Sequence, residues 1–355
     1  MSTANLDAAD LAAALAAPGL VREDVLNTVY NLDEGIPTPF TDMAGSDSFS
    51  AKYSEWTEEN LADVAPANAI VDGADATGND TKFGVRVGNR SQISDKVVRV
   101  SVSSEEVNSI GNVGKTAYQV AKRMMDLRRA VETSAVGRTA SQADDGNTTP
   151  GVTAGLAAWI KTNADFGNLG AAGGFNSTTK IVAAPTAGEA RALTWGDVRA
   201  QLLAVYSGGG FPSVLMSVPG VIAALNTFLF SDAGMPFRAT PTANVTGQGG
   251  GATQTAQGYI SVVLSDFGIS LSLVDNRLQL TYDSADVGPQ QVADVFIIDP
   301  RYAMLSYLYG YRQDMLARTG LAENRQLHTE WMTKVTREDA HALIADVDPT
   351  EAVTA

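Results

Sequence analysis

An α+β fold is predicted by three features of the sequence. Strand-like alternation runs from Ser48 to Ser103, a single long helical stripe runs from Val113 to Ala135, and helices alternate with strands from Thr194 onward. Of the 355 residues, 45% are hydrophobic, enough for a substantial core. Only 18% are charged, and Gly is abundant at 33 residues. Ser, Thr, Asn and Gln must therefore supply much of the polar surface, and such a surface loses water more cheaply than an ionic one. That suits a protein surrounded by other protein.

The first forty residues read as an arm. Leu6 to Ala17 is Ala-rich, with Leu11 and Leu15 one turn apart, and Pro18-Gly19 ends it. Pro37 and Pro39 then impose an extended path. Phe49, Ala51 and Tyr53 alternate with polar neighbours, as do Phe83, Val85 and Val87, and Val98, Val100 and Val102. The stretch from Asp72 to Asp80 is turn chemistry. Together these predict a long hairpin that cannot bury both faces within itself and needs a partner surface.

Val113, Ala117, Val120, Met124, Leu127, Val131 and Ala135 predict a helix of about 25 residues, near 37 Å long. Lys115, Lys122, Arg123, Arg128 and Arg129 decorate it against Asp126 and Glu132. A solvated face paired with acidic neighbours outweighs a nucleic-acid contact as the reading of those cations. After a polar loop from Ala140 to Gly151, a short apolar helix is expected around Gly155–Ile160, then loop from Asn163 to Lys180.

Thr194 and Asp197 have capping-box spacing before Val198, Leu202 and Val205, and Gly208 to Gly210 ends that helix. Ser213–Ser217 reads as a strand, and Ile222, Leu225 and Leu229 as a second helix. Thr240 to Gly258 has no apolar run, Tyr259–Val274 is a strand pair, and Val295–Ile298 is a wholly apolar strand. Met304, Leu308, Tyr311 and Met315 predict a helix. Leu327 to Val335 alternates as a strand, Thr336 and Asp339 cap an expected final helix with Ala340, Leu343 and Ile344, and the last ten residues are expected to fray.

Chemistry leaves no recognisable mark. No Cys is present, so disulfides and thiolate sites are excluded. The two histidines, His328 and His341, lack ligand spacing, and no metal site is expected. Asp266-Phe267-Gly268 spells a kinase magnesium triad without the other kinase parts and is read as a turn. Neither Gly208–Gly210 nor Gly247–Gly251 is followed by Lys-Ser or Lys-Thr, so no phosphate loop is predicted. Carboxylate neighbours such as Glu58-Glu59 and Asp144-Asp145 are read as surface, and Asn79, Asn147 and Asn176 need a secretory route to be glycosylated. The sequence has no signal-peptide pattern and no window apolar enough to span a membrane. A net charge of −15 argues against a dedicated duplex binder, because that affinity comes from Lys and Arg on phosphates. The expectation is no catalytic residue, no cofactor and no metal.

The order of parts, arm, projecting hairpin, long helix, α/β unit and returning strand, resembles the Hong Kong 97 type (HK97-like) shell fold of tailed phages and herpesviruses. Gly88-Asn89-Arg90-Ser91-Gln92-Ile93 followed by Val98 to Ser103, Trp159-Ile160-Lys161-Thr162-Asn163, and Ala317-Arg318-Thr319-Gly320 with Glu330 and Ala340-His341 are similar to a podophage-type major head protein family, across about Asn31 to Ile344. The resemblance implies an N-terminal arm at 1–48, an extended loop at 49–103 and a peripheral domain at 104–193, with its spine helix at 112–138. It further implies an axial domain at 194–300, a return to the peripheral domain at 301–347 and a flexible tail at 348–355.

The resemblance also implies a major capsid protein. Copies would assemble through pentamers and hexamers into an icosahedral head around double-stranded DNA, maturing from a procapsid in the bacterial cytoplasm. Its partners would be itself, with scaffold, portal and decoration proteins, and no membrane. Contacts between subunits would involve Phe49, Tyr53, Trp56, Phe83, Val85, Val87 and Arg90 on the hairpin and Lys122, Arg123, Arg128 and Arg129 on the helix. An encapsulin-type compartment shell, which shares the fold, is the alternative, ahead of a soluble α/β enzyme.

Overall fold

A computed structural model describes residues 29–30, 35–61, 69–75, 83–230, 260–318 and 320–354. The arm helix expected at Leu6–Ala17 and the loop at Thr240–Gly258 lie outside the described residues. The first described elements are a short helix, α1 (Pro39–Met43), and a strand, β1 (Gly45–Ser48). The hairpin strands are β2 (Tyr53–Glu58) and β3 (Val85–Arg90), followed by β4 (Gln92–Ser101). A short helix, α2 (Val102–Glu106), leads to the long helix α3 (Thr116–Val136).

Two sheets carry the fold. The first has the order β1-β13-β14-β4, where β13 is Ala303–Met315 and β14 is Ala322–Val335. The long β14 sits centrally, antiparallel to both neighbours, with Leu327 opposite Lys96 and Leu305 opposite Thr333. α3 packs on this sheet. Leu127 is completely buried and joins Val98, Val100 and Leu327, with Val120, Met124 and Tyr311 against them.

The second sheet has the order β5-β15-β12-β8-β10-β9, with β11 paired to β12. These are β5 (Ala164–Asp165), β8 (Val214–Ser217), β9 (Val262–Leu264), β10 (Ser270–Asp275), β11 (Tyr282–Asp283), β12 (Gln291–Ile298) and β15 (Ala342–Val347). Its two faces enter different cores. Phe296, Ile298, Leu343 and Ala345 meet Trp159 and Val131 on one side. Val295, Ile297, Ala342 and Ile344 meet the helices α5 (Trp195–Ser207) and α6 (Pro219–Phe230) on the other. The capping box starting α5 is present: Asp197 N donates to Thr194 Oγ1 at 3.0 Å, and Thr194 N donates to Asp197 Oδ2 at 3.2 Å.

Several expectations fail. The stripe Met304–Met315 is strand β13, not a helix. Its register shifts at Tyr307/Tyr309 and Tyr309/Arg312 break the period of two and leave apolar residues at accidental helical spacing. The final helix is only a 3₁₀ turn, Glu338–Ala340, before β15. All six β15 residues are buried because both faces of that sheet are covered, so the strand reads as a continuous apolar run. Phe49 lies outside any strand and Ser50–Lys52 is a bend, and the strand before them, β1, pairs in parallel with β13 and not within the hairpin. Val102 and Ser103 begin a helix, capped by Ser101. The segment Asn163–Lys180 contains two short strands, β5 and β6 (Gly174–Asn176), the latter paired with β7 (Ile181–Ala183). The expected frayed tail is docked: Trp195 N donates to Thr354 O, Thr354 N donates to Leu193 O, and Val353 is buried.

Candidate assembly surface

β2 and β3 form a two-stranded ladder of their own, from Tyr53 opposite Arg90 to Glu58 opposite Val85. Gly88 permits this approach, since a Cβ there would lie 2.7 Å from Ser54 O and 2.8 Å from the Tyr53 ring. One face of the hairpin root is anchored in the chain itself. Trp56 lies 5.4 Å from Trp159, centroid to centroid, and Trp159 stacks on Phe175 at 6.1 Å. Trp159 belongs to a short helix, α4 (Leu156–Trp159), that is wholly buried.

Asn89 fastens the root by hydrogen bonds. Completely buried, it donates to Thr153 Oγ1 at 3.0 Å and Thr333 O at 2.7 Å, and it accepts from Ala154 N at 3.2 Å. The chain then turns at Ser91, whose N–H donates to Lys52 O and whose hydroxyl donates to Glu330 Oε1 at 2.7 Å. After that turn β4 pairs with β14 and not with β3.

The tip contrasts with the root. Phe83 is fully exposed, Leu61 nearly so, and Ile70, Val71 and Val85 are exposed as well. Exposed apolar area of this kind, gathered in the segment that joins the two strands, is the mark of a surface that meets another molecule. Of the residues expected at subunit contacts, Phe83 and Val85 point into solvent, whereas Val87 is buried and Trp56 packs on the core. Phe49 and Tyr53 are half-buried, and Arg90 lies over the Tyr53 ring at 5.0 Å. On α3, Arg123 pairs with Asp126 at 2.9 Å and Arg128 with Asp42 at 3.4 Å. Lys122 is exposed and Arg129 half-buried, and among the described residues neither has an ion pair.

Three polar groups at the joints of the fold, two of them carboxylates, have tasks that the sequence did not assign. Glu132 on α3 is completely buried. It accepts from Phe40 N at 2.9 Å, Thr41 N at 2.7 Å, Thr41 Oγ1 at 2.6 Å and Asn276 Nδ2 at 2.8 Å, so one carboxylate ties α1, the long helix and the turn that leaves β10 together. No sequence signal marked it, because its partners are distant along the chain. Asn89 did carry a signal: Asn is depleted in strands, and one buried between Gly88 and Arg90 has a hydrogen-bonding task.

The third group is Asp294, at the irregularity between Ala293 and Val295 in β12. Burial raises its carboxyl to about 6, against the opposing pull of Arg138 at 2.9 Å. The Tyr282 hydroxyl lies 2.8 Å from Asp294 Oδ1 and 3.1 Å from Asp346 Oδ1.

At the Val85 end of the ladder, burial pushes the Glu58 carboxyl up to about 7; Arg337 opposes this, and Asp339 and Glu338 add to it. Among the described residues no group of three or more His, Asp or Glu side chains is placed to hold a metal. No described helix is long and apolar enough to cross a membrane.

Comparison with known proteins gives a consistent result. A family model described as SU10 major capsid protein matches residues 3–348. The major capsid protein of Escherichia phage Phieco32 is 34% identical over 95 residues, an alignment spanning 27% of this chain and 27% of that relative. Among solved structures, the capsid of a native GTA particle covers 94% of this chain and 98% of its own, with a TM-score of 0.57 at 12% identity. A structure from Mycobacterium phage Bobi covers 97% and 99%, with a TM-score of 0.54 at 13% identity. The holo-SrpI encapsulin complex of Synechococcus elongatus PCC 7942 covers 98% of both chains, with a TM-score of 0.55 at 13% identity. At such identities the structural likenesses establish the fold, which is the Hong Kong 97 type. With a family model matching nearly its whole length, the chain belongs to the SU10 major capsid protein family.

Proposed function

We propose that this protein is the shell subunit of a phage head. Copies associate through pentamers and hexamers into a closed icosahedral capsid around double-stranded DNA. The observation that carries the reading is the hairpin: its root is bolted to the core by Trp56 and Asn89, while Phe83, Leu61, Ile70 and Val71 remain in water. A rigid stem with an apolar tip is built to lie on a neighbour. Each such contact is modest, and a closed shell gains its strength from many of them per copy.

In this reading residues 1–48 form an arm and 49–103 an extended loop. Residues 104–193 with 301–347 form the peripheral domain, and 194–300 the axial domain. Scaffold, portal and decoration proteins are the further partners, and assembly takes place in the host cytoplasm. The protein performs no catalysis. Net charge −15 suits a container wall, since repulsion keeps packaged DNA from adhering.

Negative-stain microscopy of the purified protein tests the proposal. Closed shells of uniform diameter are expected. Small soluble oligomers overturn it, and shells that enclose a cargo protein in place of DNA assign the chain to the encapsulin alternative.

A further inference from the structure

Asp294 and Asp346, both buried, meet at a β-bulge. Between the pairs Ala293–Val347 and Val295–Ile344, β12 has one residue, Asp294, and β15 has two, Ala345 and Asp346. Asp346 absorbs the extra residue at φ +62°, in the left-handed region that Asp tolerates better than most side chains. The bulge brings both carboxyl groups to the Tyr282 hydroxyl of β11.

Tyr282 has too few protons for both contacts. Its oxygen lies 2.8 Å from Asp294 Oδ1 and 3.1 Å from Asp346 Oδ1, and it accepts from Asp346 N at 2.8 Å. A phenol has one proton to donate, and an ionised carboxylate has none. With both aspartates ionised, one of the two short O···O contacts would set lone pair against lone pair. One further proton on the pair satisfies both. Burial pushes the Tyr282 hydroxyl up, so it keeps its own proton. The charges agree with this count. Among the described residues one cation is paired with the two aspartates, Arg138, just past the end of α3. Its Nη1 lies 2.9 Å from Asp294 Oδ1, and its guanidinium lies over the Tyr282 ring at 3.8 Å. Arg191, whose Nε donates to Ala345 O, is paired with Asp165 at 3.0 Å. One proton on the pair leaves the group neutral, and none leaves a buried negative charge unmatched.

We infer that Asp294 and Asp346 share one proton across Tyr282, and that this proton latches the exit of α3 to the second sheet. While it is held, Arg138, β11, β12 and β15 form one neutral joint, to which Gly167 N adds a hydrogen bond to Asp346 Oδ2 at 3.0 Å. Once it leaves, two buried carboxylates face one guanidinium and the joint loosens. Such a proton belongs to the pair and not to either residue. Burial raises the Asp294 carboxyl from the ordinary 3.8 to about 6, with Arg138 opposing and Asp346 adding to the rise. The latch is therefore strongest below pH 3.8 and weakens as the pH climbs to about 6. It lies within one chain and does not depend on the shell reading.

Infrared spectroscopy of the full chain with isotope-labelled aspartate tests the shared proton, since the label separates Asp from Glu carboxyl groups. One aspartic carboxyl band is expected to outlast the ionisation of the surface aspartates and to vanish in a separate step at higher pH. Asp294→Asn and Asp346→Asn should each abolish it, because the remaining carboxylate then takes the Tyr282 proton and stays ionised. Absence of the band from the wild-type chain overturns the proposal. So does a band that survives Asp346→Asn, since burial alone would then govern Asp294. Hydrogen exchange tests the latch in the wild-type chain, with no variant needing to fold. Protection of the Gly167 and Asp346 amides should fall at least ~10-fold between about pH 4 and about pH 7, and more than that of Leu215 in β8. Unchanged protection, or an equal fall at Leu215, overturns the latch.

Discussion

Trp56 of the hairpin and Trp159 of the buried helix α4 lie with ring centroids 5.4 Å apart and planes tilted by 34°. This pair is the main apolar joint between a projecting element and the body of the protein. Trp56→Ala removes about 2–3 kcal/mol, somewhat below the value for a fully buried aromatic, because Trp56 keeps part of its surface in water. The loss should be local. Hydrogen exchange of the Arg86–Arg90 amides should speed up by a larger factor than that of β12. Equal acceleration everywhere would mean that the hairpin is not a separate unit.

Glu132 accepts four hydrogen bonds, and among the described residues none of its partners is a cation, so backbone and side-chain N–H and O–H donors satisfy the carboxylate. Glu132→Gln keeps the volume but turns one acceptor oxygen into a donor that faces other donors. The expected cost is about 2–3 kcal/mol in urea denaturation of the subunit, with early exchange of the Phe40 and Thr41 amides. Unchanged protection of those two amides would show that α1 is held by other contacts.

Leu127 is the centre of the core between α3 and the first sheet, completely buried against Val98, Val100 and Leu327. Leu127→Asp places a carboxylate there with no partner, and its cost, at least ~4 kcal/mol, consumes much of the stability of an ordinary domain. The variant should accumulate as insoluble chain. A soluble variant with a cooperative thermal transition would show that α3 can detach from the sheet.

The long elements were legible because their patterns are local. The stripe through Leu127 and Val131, the alternation from Leu327 to Val335 and the Thr194–Asp197 cap each declare themselves within one or two turns of chain, and the structure has all three. The errors fell where tertiary context overrides pattern. β13 contains register shifts that scramble its period, and β15 is apolar on both faces because both are covered. Both mimic helices for that reason. Of the assembly surface, the hairpin was legible as an element without a partner, but not the division of its side chains. Val85 and Val87 share one face of β3, yet only Val87 is buried, because that face is covered at its Asn89 end by Thr153 and Thr333, 64 and 244 positions away along the chain.

Glu58, opposite Val85 at the end of the hairpin ladder, gives the fold a pH dependence of definite sign. Burial raises its pKa from the ordinary 4.5 to about 7. An acid raised in the folded state favours folding most when protonated in both states, below pH 4.5. That contribution is lost as the pH climbs from 4.5 to about 7, and above pH 7 the folded chain carries at Glu58 an ion that burial disfavours. The stability that Glu58 contributes should therefore fall across this window, and Glu58→Gln, neutral at every pH, should remove that part of the pH dependence. The variant should match wild type near pH 4 and unfold at a higher temperature near pH 8. Measuring thermal transitions of both chains at half-unit steps checks this. A Glu58→Gln chain that is less stable than wild type at pH 8 would show that the charge is well paired with Arg337 and that burial does not govern it.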